Sequence, residues 1–211
     1  LLKILAAKVV VVGEHSSHLT MLQLEGGDFD IVTVPSQQYH GRIISEDLVK
    51  NTHDNSEYEL FCKLCEHPYI IIGEVVHGKA LGRTENMPTA NIQVSENKIL
   101  PKDAVYAATI RLGGEILSAV TNIGRRPTVD DYDYVTVEAW ILDFDRKIYG
   151  EKLVLEIREF IREIKKFETL AEVKSQVDKD VERVKRMNDN DYYLEEYVLQ
   201  DGKKHPFALI C

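Results

Sequence analysis

The segment Tyr106–Ile123, YAATIRLGGEILSAVTNI, is the most informative part of the sequence about the fold. Its two β-rich runs, Tyr106–Leu112 and Glu115–Ile123, are separated only by Gly113 and Gly114. Two such runs around two glycines predict a β-hairpin with a primed turn, because glycine adopts the positive φ that this turn requires. Further β-rich runs occur at Tyr69–Val76, Val135–Leu142 and Leu153–Ile157. Several antiparallel strands punctuated by Gly and Pro predict a small closed barrel.

A helix is predicted directly after the barrel strands. Thr169 and Glu172 have the spacing of a capping box, which marks a helix N-terminus. Apolar residues then recur at steps of three and four, at Leu170, Val173, Val177, Val181 and Val184. This stripe is expected to pack on the barrel. The tail, residues 188–211, follows no clear pattern and is treated as a separate segment.

The first part of the chain has α/β character. Val9–Val12 is a continuous apolar run, typical of a strand that is buried on both faces. A second strand is expected at Phe29–Val34, with short helices at 19–24 and 46–50. Ser56 is expected to cap a helix that runs through Leu64 and ends at His67-Pro68. The overall class is therefore α+β.

The composition restricts the function. The 211 residues include 44% hydrophobic residues and carry a formal net charge of −9. An acidic chain is a poor binder of nucleic acid or anionic membranes, and no apolar run reaches the ~20 residues of a membrane span. Three cysteines, an odd number, fit a reducing cytoplasm. We expect a cytoplasmic monomer without a signal peptide, binding small molecules but neither nucleic acid nor membrane.

A glycine-rich segment, Gly73–Arg83, is followed closely by Met87–Ile92. Glycines allow a close approach of the backbone to a ligand, and Lys79 and Arg83 can offset phosphate charge. Thr89 and Asn91 offer neutral oxygen ligands, which suit Mg²⁺ when substrate phosphates supply the remaining ligands. Taken alone, the Pro-Thr-Ala-Asn run here also fits an ordinary loop.

Two further segments carry charged residues. Asn122–Thr128 follows a strand and contains two arginines, and Val137–Phe144 contains Glu138 in mid-strand. Strand alternation places Glu138 on one face with Thr136 and Trp140. A carboxylate there can accept a proton from an attacking hydroxyl, although a lone strand glutamate is more often a solvated surface residue.

In this order, the segments resemble the riboflavin kinase family. The resemblance covers residues 69–186 and rests on seven stretches: Gly73–Arg83, Pro88–Ile92, Leu100–Ala107, Asn122–Thr128, Val137–Phe144, Tyr149-Gly150 and Ile161–Phe167. It implies a six-stranded antiparallel Greek-key β-barrel with a C-terminal helix. It also implies transfer of a phosphoryl group from ATP to the 5′-hydroxyl of riboflavin, giving FMN and ADP.

The resemblance also implies roles for individual residues. Glu138 is the implied base toward the 5′-hydroxyl, and Thr89 and Asn91 are the implied Mg²⁺ ligands. The implied ATP-binding residues are Gly73, His77, Gly78, Lys79, Gly82, Arg83, Pro88, Thr89, Ala90 and Asn91. The implied flavin-binding residues are Asn122, Gly124, Arg125, Pro127, Thr128, Arg162 and Phe167.

The chain departs from the family pattern at a few positions. Asn86 and Met87 stand where the family usually has glycine and an aromatic or large apolar residue, and Trp140 stands where it often has histidine. These differences leave an alternative open. In this alternative, the protein has the riboflavin kinase fold but is a regulatory protein that binds flavin or nucleotide with little or no turnover.

Residues 1–68 resemble the later part of the adenylyltransferase half of bacterial bifunctional riboflavin kinase/FAD synthetases, a Rossmann-like domain. The matching stretches, Val9–Glu14 and Ile43–Ser45, are eroded. His15 and His18 allow another interpretation, a degraded His-x-Gly-His motif with Ser17 in place of glycine. We predict no FAD synthetase activity, and divide the chain into an adenylyltransferase-like part (1–68), the kinase barrel with its helix (69–187) and the tail (188–211).

Cys62 and Cys65, with His67 nearby, form a weak candidate for a zinc site. Only one Cys-x-x-Cys pair exists, and it lies on a predicted helix. Two helix-face thiols are the favoured interpretation, so no zinc is expected.

Overall fold

The computed structural model describes residues 8–25, 27–78, 89–125 and 135–189. No helix in these ranges is long and apolar enough to cross a membrane. The helices are α1 (Ser17–Glu25), α2 (Glu46–Asp54), α3 (Tyr58–Cys65) and α4 (Leu170–Asp189). The strands are β1 (Val9–Gly13), β2 (Asp30–Val34), β3 (Gln38–Tyr39), β4 (Arg42–Ile43), β5 (Tyr69–Val76), β6 (Thr89–Val94), β7 (Ala104–Leu112), β8 (Glu115–Arg125), β9 (Val135–Ile141) and β10 (Lys152–Glu163).

The backbone contacts divide the chain into two compact units, Leu1–Asn51 and Thr52–Cys211. In the first unit, β1 pairs in parallel with β2, and α1 connects them. The predicted strands and helices of this region are present, but the predicted burial of β1 on both faces is wrong. Val9 and Val11 are 53% and 61% exposed, because no described layer of this unit covers that face of the sheet.

The second unit begins before the boundary that we place at residue 69 from the sequence. Helix α3 contacts β5 and β10, and its residues Tyr58 and Phe61 are buried. The Tyr58 ring lies 5.8 Å from Tyr69 and 5.6 Å from Tyr106, between ring centroids. Helix α3 therefore packs as part of the barrel unit.

The predicted Ser56 cap of α3 is wrong. Glu57 holds the N-cap position and makes no side-chain capping bond. Ser56 instead adopts a φ of +60°, and its hydroxyl lies 3.2 Å from the Tyr106 hydroxyl. Its oxygen is therefore directed to the barrel and does not satisfy the first turn of the helix.

Strands β5 to β10 form a closed antiparallel barrel in the order β10-β5-β6-β9-β8-β7. The predicted hairpin is confirmed, since β7 and β8 pair up to Leu112 opposite Glu115. Gly113 and Gly114 have φ values of 57° and 88°, as a primed turn requires. The six-stranded barrel with a C-terminal helix is the predicted fold.

Alternation along the strands separates the barrel interior from its outer surface. Fully buried residues such as Ile71, Ile110, Ile123, Leu155 and Ile157 fill the interior. The outer face of β7 and β8 lies beneath α4, where Val105, Ala107, Val120, Leu142 and Val184 form one apolar cluster. The predicted packing of the helix stripe on the barrel is confirmed at Val181 and Val184.

The predicted start of α4 is confirmed in its first half. The Glu172 N–H donates to Thr169 Oγ1 at 3.3 Å. The Glu172 carboxylate, however, accepts from the Glu168 N–H at 3.2 Å, where a capping box would use the N–H of Thr169.

Candidate active site

A row of polar residues crosses three strands on the outer surface of the barrel. Asn91 of β6 pairs directly with Glu138 of β9, which pairs in turn with Asn122 of β8. Directly paired residues of antiparallel strands have Cβ atoms about 4.5–5.5 Å apart and share a face. Val137 and Ala139 are buried on the opposite face, so the predicted orientation of Glu138 is confirmed. The carboxylate therefore lies between two amide side chains.

The same row continues across two more strands. Asn122 pairs with Val105 of β7, and Val105 pairs with Arg162 of β10. The Arg162 guanidinium reaches α4, where its Nη2 donates to Asp180 Oδ2 at 2.9 Å. Sequence motifs that are far apart in the chain thus meet on one stripe of the barrel surface, and Glu138 lies within it.

The end of β5 approaches Asn91 closely. A Cβ atom added at Gly78 would lie 2.3 Å from Asn91 Nδ2, so only glycine fits there without moving the amide. The preceding His77 ring stacks on Tyr149, with ring centroids 3.8 Å apart and planes 21° apart. Tyr149 belongs to the Tyr-Gly pair noted in the sequence, but we assigned it no role there.

Thr89 and Asn91 lie two residues apart on β6 and therefore on one face of it. Asn91 pairs with Glu138, and Thr89 pairs with Trp140 on the same face. Among the described residues, no group of three His, Cys, Asp or Glu side chains could hold a metal. The neutral oxygens of Thr89 and Asn91 are groups that could hold a divalent cation when substrate phosphates supply further ligands.

A cleft of about 1070 Å³ borders this row. Of the described site residues predicted from the sequence, His77, Gly78, Asn91 and Arg125 line it, whereas the others do not: Gly73, Thr89, Ala90, Asn122, Gly124, Glu138, Arg162 and Phe167. Gly73 has a packing reason instead, because a Cβ atom there would lie 2.5 Å from the Gln93 carbonyl oxygen. Lys98 also lines the cleft, and burial lowers the pKa of its ammonium group.

The end of β8 is held by contacts to its neighbours. The Thr136 hydroxyl donates to the Gly124 carbonyl oxygen at 3.0 Å, and the Arg125 N–H donates to the Asp103 carboxylate at 3.1 Å. A Cβ atom added at Gly124 would lie 2.5 Å from Ile164 Cδ1. These contacts place Gly124 beside Asn122 and under the segment that leads from β10 to α4.

Several predicted site residues lie outside the described residues: Lys79, Gly82, Arg83, Pro88, Pro127 and Thr128. Ala90, on β6, pairs with Ala139. Sequence patterns gave no role to Thr136, Asp180 or Tyr149. Tyr149 could have been found from its place in the Tyr149-Gly150 stretch, and Asp180 because it is an acidic residue beside the apolar stripe of a helix. The sequence contained no comparable signal for Thr136.

The Cys62-x-x-Cys65 pair lies on α3, as predicted. Burial raises the pKa of the Cys62 thiol to about 11 and also raises that of Cys65. Zinc binds the thiolate form, which is scarce at neutral pH when the thiol pKa is raised.

The closed barrel and its C-terminal helix define a six-stranded antiparallel β-barrel domain. The family model Flavokinase, described as riboflavin kinase, matches residues 65–188. The chain belongs to the riboflavin kinase family.

Known relatives share the barrel and extend beyond it. The bifunctional riboflavin kinase/FMN adenylyltransferase of Listeria monocytogenes is 35% identical over 154 residues, covering 73% of this chain and 49% of the relative. The enzyme of that name from Haemophilus influenzae is 33% identical, covering 82% and 56%. The chain thus spans about half the length of these curated relatives.

A solved structure has a similar fold. The crystal structure of a macrolide-efflux protein from Streptococcus pneumoniae superimposes with a TM-score of 0.74 at 26% identity. The match covers 87% of this chain and 62% of that chain, so it includes more than the barrel.

Proposed function

We propose that this chain is a riboflavin kinase that transfers the γ-phosphoryl group of ATP to the 5′-hydroxyl of riboflavin. The observation that carries the proposal is the pairing of Glu138 with Asn91 and Asn122 on the outer face of a barrel of this family. Glu138, the proposed base, would then have two different surroundings. On one side are the glycines and neutral oxygens of β5 and β6, and on the other are β8, β10 and α4.

In the proposed reaction, Glu138 accepts the proton of the riboflavin 5′-hydroxyl as that oxygen attacks the γ-phosphorus of ATP. The new O–P bond forms while the bond between the γ-phosphorus and the β,γ-bridging oxygen breaks, and ADP leaves. Thr89 and Asn91 would hold Mg²⁺, which supplies neutralisation of the phosphate charge. Phosphoryl transfer depends mostly on positioning and electrostatic stabilisation, so one base and ordered ligands are sufficient.

The two substrates would approach Glu138 from opposite sides. Gly78 lies against Asn91 on the β5–β6 side, and Gly78 and His77 line the cleft, so this side suits the ATP phosphates. The other side of Glu138 leads through Asn122 toward Arg162 and the start of α4. We assign that side to riboflavin.

The proposal is tested by incubating the purified protein with riboflavin and MgATP and separating the flavins by chromatography. We expect FMN and ADP in equal amounts, and none when EDTA removes divalent cations. Flavin binding without any FMN would instead favour the alternative, a regulatory protein with the same fold. The pairing of Trp140 with Thr89, a proposed metal ligand, is the structural feature that favours this alternative.

We also propose that this chain does not synthesise FAD, and that residues of its first unit are a remnant of an adenylyltransferase domain. The eroded stretches Val9–Glu14 and Ile43–Ser45 support this, and the side chain of His15, the first histidine of the degraded motif, is 70% exposed. Supplying FMN and ATP should yield no FAD. Appearance of FAD and pyrophosphate would contradict the proposal.

We further propose that the protein works in the cytoplasm as a monomer without nucleic acid or membrane partners. The net charge of −9 supports the absence of these partners, since nucleic acid and the surface of an anionic membrane both repel an acidic protein. Size-exclusion chromatography with light scattering checks the oligomeric state directly, and a mass of twice 24.1 kDa would contradict it.

A further inference from the structure

The segment between β10 and α4 is held by a buried ion pair. Arg162 Nε donates to Asp180 Oδ2 at 3.0 Å and Nη2 to the same oxygen at 2.9 Å. The Asp180 side chain is only 2% exposed and that of Arg162 16%. Gln176 Nε2 adds a third donor, at 2.9 Å from Asp180 Oδ1. A buried carboxylate needs such partners, because an unpaired buried charge is strongly unfavourable.

This ion pair also orders the residues that follow Arg162. Its Nη1 donates to the Glu163 carbonyl oxygen at 3.1 Å, and its guanidinium lies 5.8 Å from the centroid of the Phe167 ring. Because Asp180 neutralises the guanidinium, Arg162 is poorly suited to bind a phosphate as a free cation. Its contacts instead hold the connection between β10 and α4, residues 164–169 (the turn), which carries Phe167.

The fixed turn lies at the end of the row that contains the proposed base. From Glu138 the row passes through Asn122 and then through Val105, which lies beneath α4, to Arg162, so Glu138 and Arg162 are about three strand spacings or roughly 14 Å apart on the two sides of that covered part. A substrate whose hydroxyl meets Glu138 on a five-carbon chain, and which ends in a planar tricyclic ring, is long enough to reach this turn.

We propose that Asp180 is a positioning residue for the flavin: by holding Arg162, it places the turn with Phe167 where the isoalloxazine ring binds. This inference rests on the proposed function, because it takes Glu138 as the base for the riboflavin hydroxyl. Asp180 itself is buried and acts through Arg162.

The chain offers a matched control in a second ion pair between β10 and α4. Arg183 of α4 donates through Nε to Glu159 Oε1 at 2.8 Å. Glu159 pairs with Ala107, whose row continues through Val120 to Trp140, parallel to the row of Glu138 and not through Arg162. Loss of this pair should loosen the same helix without disturbing the turn at Phe167.

The experiment compares the full chain with Asp180→Asn, Gln176→Met and Glu159→Gln, measuring riboflavin Kd by quenching of flavin fluorescence, together with KM, kcat and melting temperature. We expect Asp180→Asn to raise Kd and KM for riboflavin about tenfold to hundredfold, with KM for ATP unchanged. Gln176→Met should shift Kd in the same direction by less. Glu159→Gln should leave Kd unchanged.

Equal effects of Asp180→Asn and Glu159→Gln on Kd, or no effect of either, would overturn the inference while leaving an active kinase intact. If Asp180→Asn does not fold, Gln176→Met decides: a raised Kd supports the inference and an unchanged Kd overturns it. If the unaltered chain binds flavin but forms no FMN, the proposed kinase activity is wrong. The role of Asp180 is then still tested by the riboflavin Kd values of the variants. Absence of flavin binding by the unaltered chain would overturn both.

Discussion

Glu138 is an acidic residue in the middle of a β-strand, and its surroundings explain why it is there. Its strand neighbours Val137 and Ala139 face the barrel interior, while Glu138 faces outward between Asn91 and Asn122. The orientation could be predicted from strand alternation. The two flanking amides could not, because they come from strands 47 and 16 positions away whose register depends on barrel closure.

The close approach of Gly78 to Asn91 predicts the effect of a single substitution. Gly78→Ala would bring a Cβ atom to 2.3 Å from Asn91 Nδ2, so the amide must move away from the proposed metal position. We expect kcat/KM for MgATP to fall about tenfold to hundredfold, with the barrel still folded.

Gly13→Ala is the control for that variant, because nothing lies within 4 Å of a Cβ atom added at Gly13. It should leave both kinetics and melting temperature unchanged. An unchanged kcat/KM in Gly78→Ala would show that the Asn91 amide does not need its present position.

The presence of most strands and helices could be predicted from the sequence more reliably than the residues at which they end or the faces that they bury. The hairpin around Gly113 and Gly114 was predictable, because only a primed turn joins strands through two glycines so readily. Strand β6 was not, since its Thr-Ala-Asn beginning, which follows a proline in the sequence, also fits a loop. Its pairing with β5 and β9 makes it a strand, and that pairing is long-range.

Helix α3 covers a part of the barrel surface that contains charged residues. Glu156, 1% exposed, accepts from Thr109 Oγ1 at 2.8 Å and from Arg111 Nε at 2.5 Å, and pairs with Arg158. The charges of Arg158 and Glu156 act on the Cys62 thiol of α3 in opposite directions, and burial dominates its pKa. The helix therefore buries Cys62 against a paired charge cluster.

The burial of Cys62 predicts slow alkylation. Its pKa of about 11 leaves a thiolate fraction at pH 8 about a hundredfold smaller than that of an ordinary thiol. In a Cys65→Ala, Cys211→Ala background, the rate of reaction with iodoacetamide should keep rising with pH until about 11. An apparent pKa near the ordinary value of about 8.5 would show that α3 does not bury this thiol.

The chain consists of two units, and their structures could be predicted from the sequence to different extents. Five of the six barrel strands and the packing of the helix were predictable from residue patterns, whereas the sixth strand, β6, was expected only from the family resemblance. The boundary at Asn51 and Thr52 was not, since α3 joins the barrel through side chains such as Tyr58 that carry no boundary signal.

The boundary predicts which fragment folds. Residues 52–189 should unfold cooperatively on their own, whereas residues 69–189 lack α3 and leave Glu156 and Arg158 uncovered. We expect the shorter fragment to be less stable by at least about 3 kcal/mol, because it loses the buried side chains of Tyr58, Phe61 and Leu64. Equal urea midpoints would contradict the assignment of α3 to the barrel unit.

The central claim, that Glu138 is the base of a riboflavin kinase, is tested most directly by the rate of FMN formation in Glu138→Gln under single-turnover conditions. We predict a fall of about a hundredfold to ten-thousandfold, a riboflavin Kd close to that of the unaltered chain, and no change in either quantity for Glu74→Gln, an exposed glutamate of β5. An undiminished rate in Glu138→Gln would contradict the claim and remove Glu138 from the mechanism.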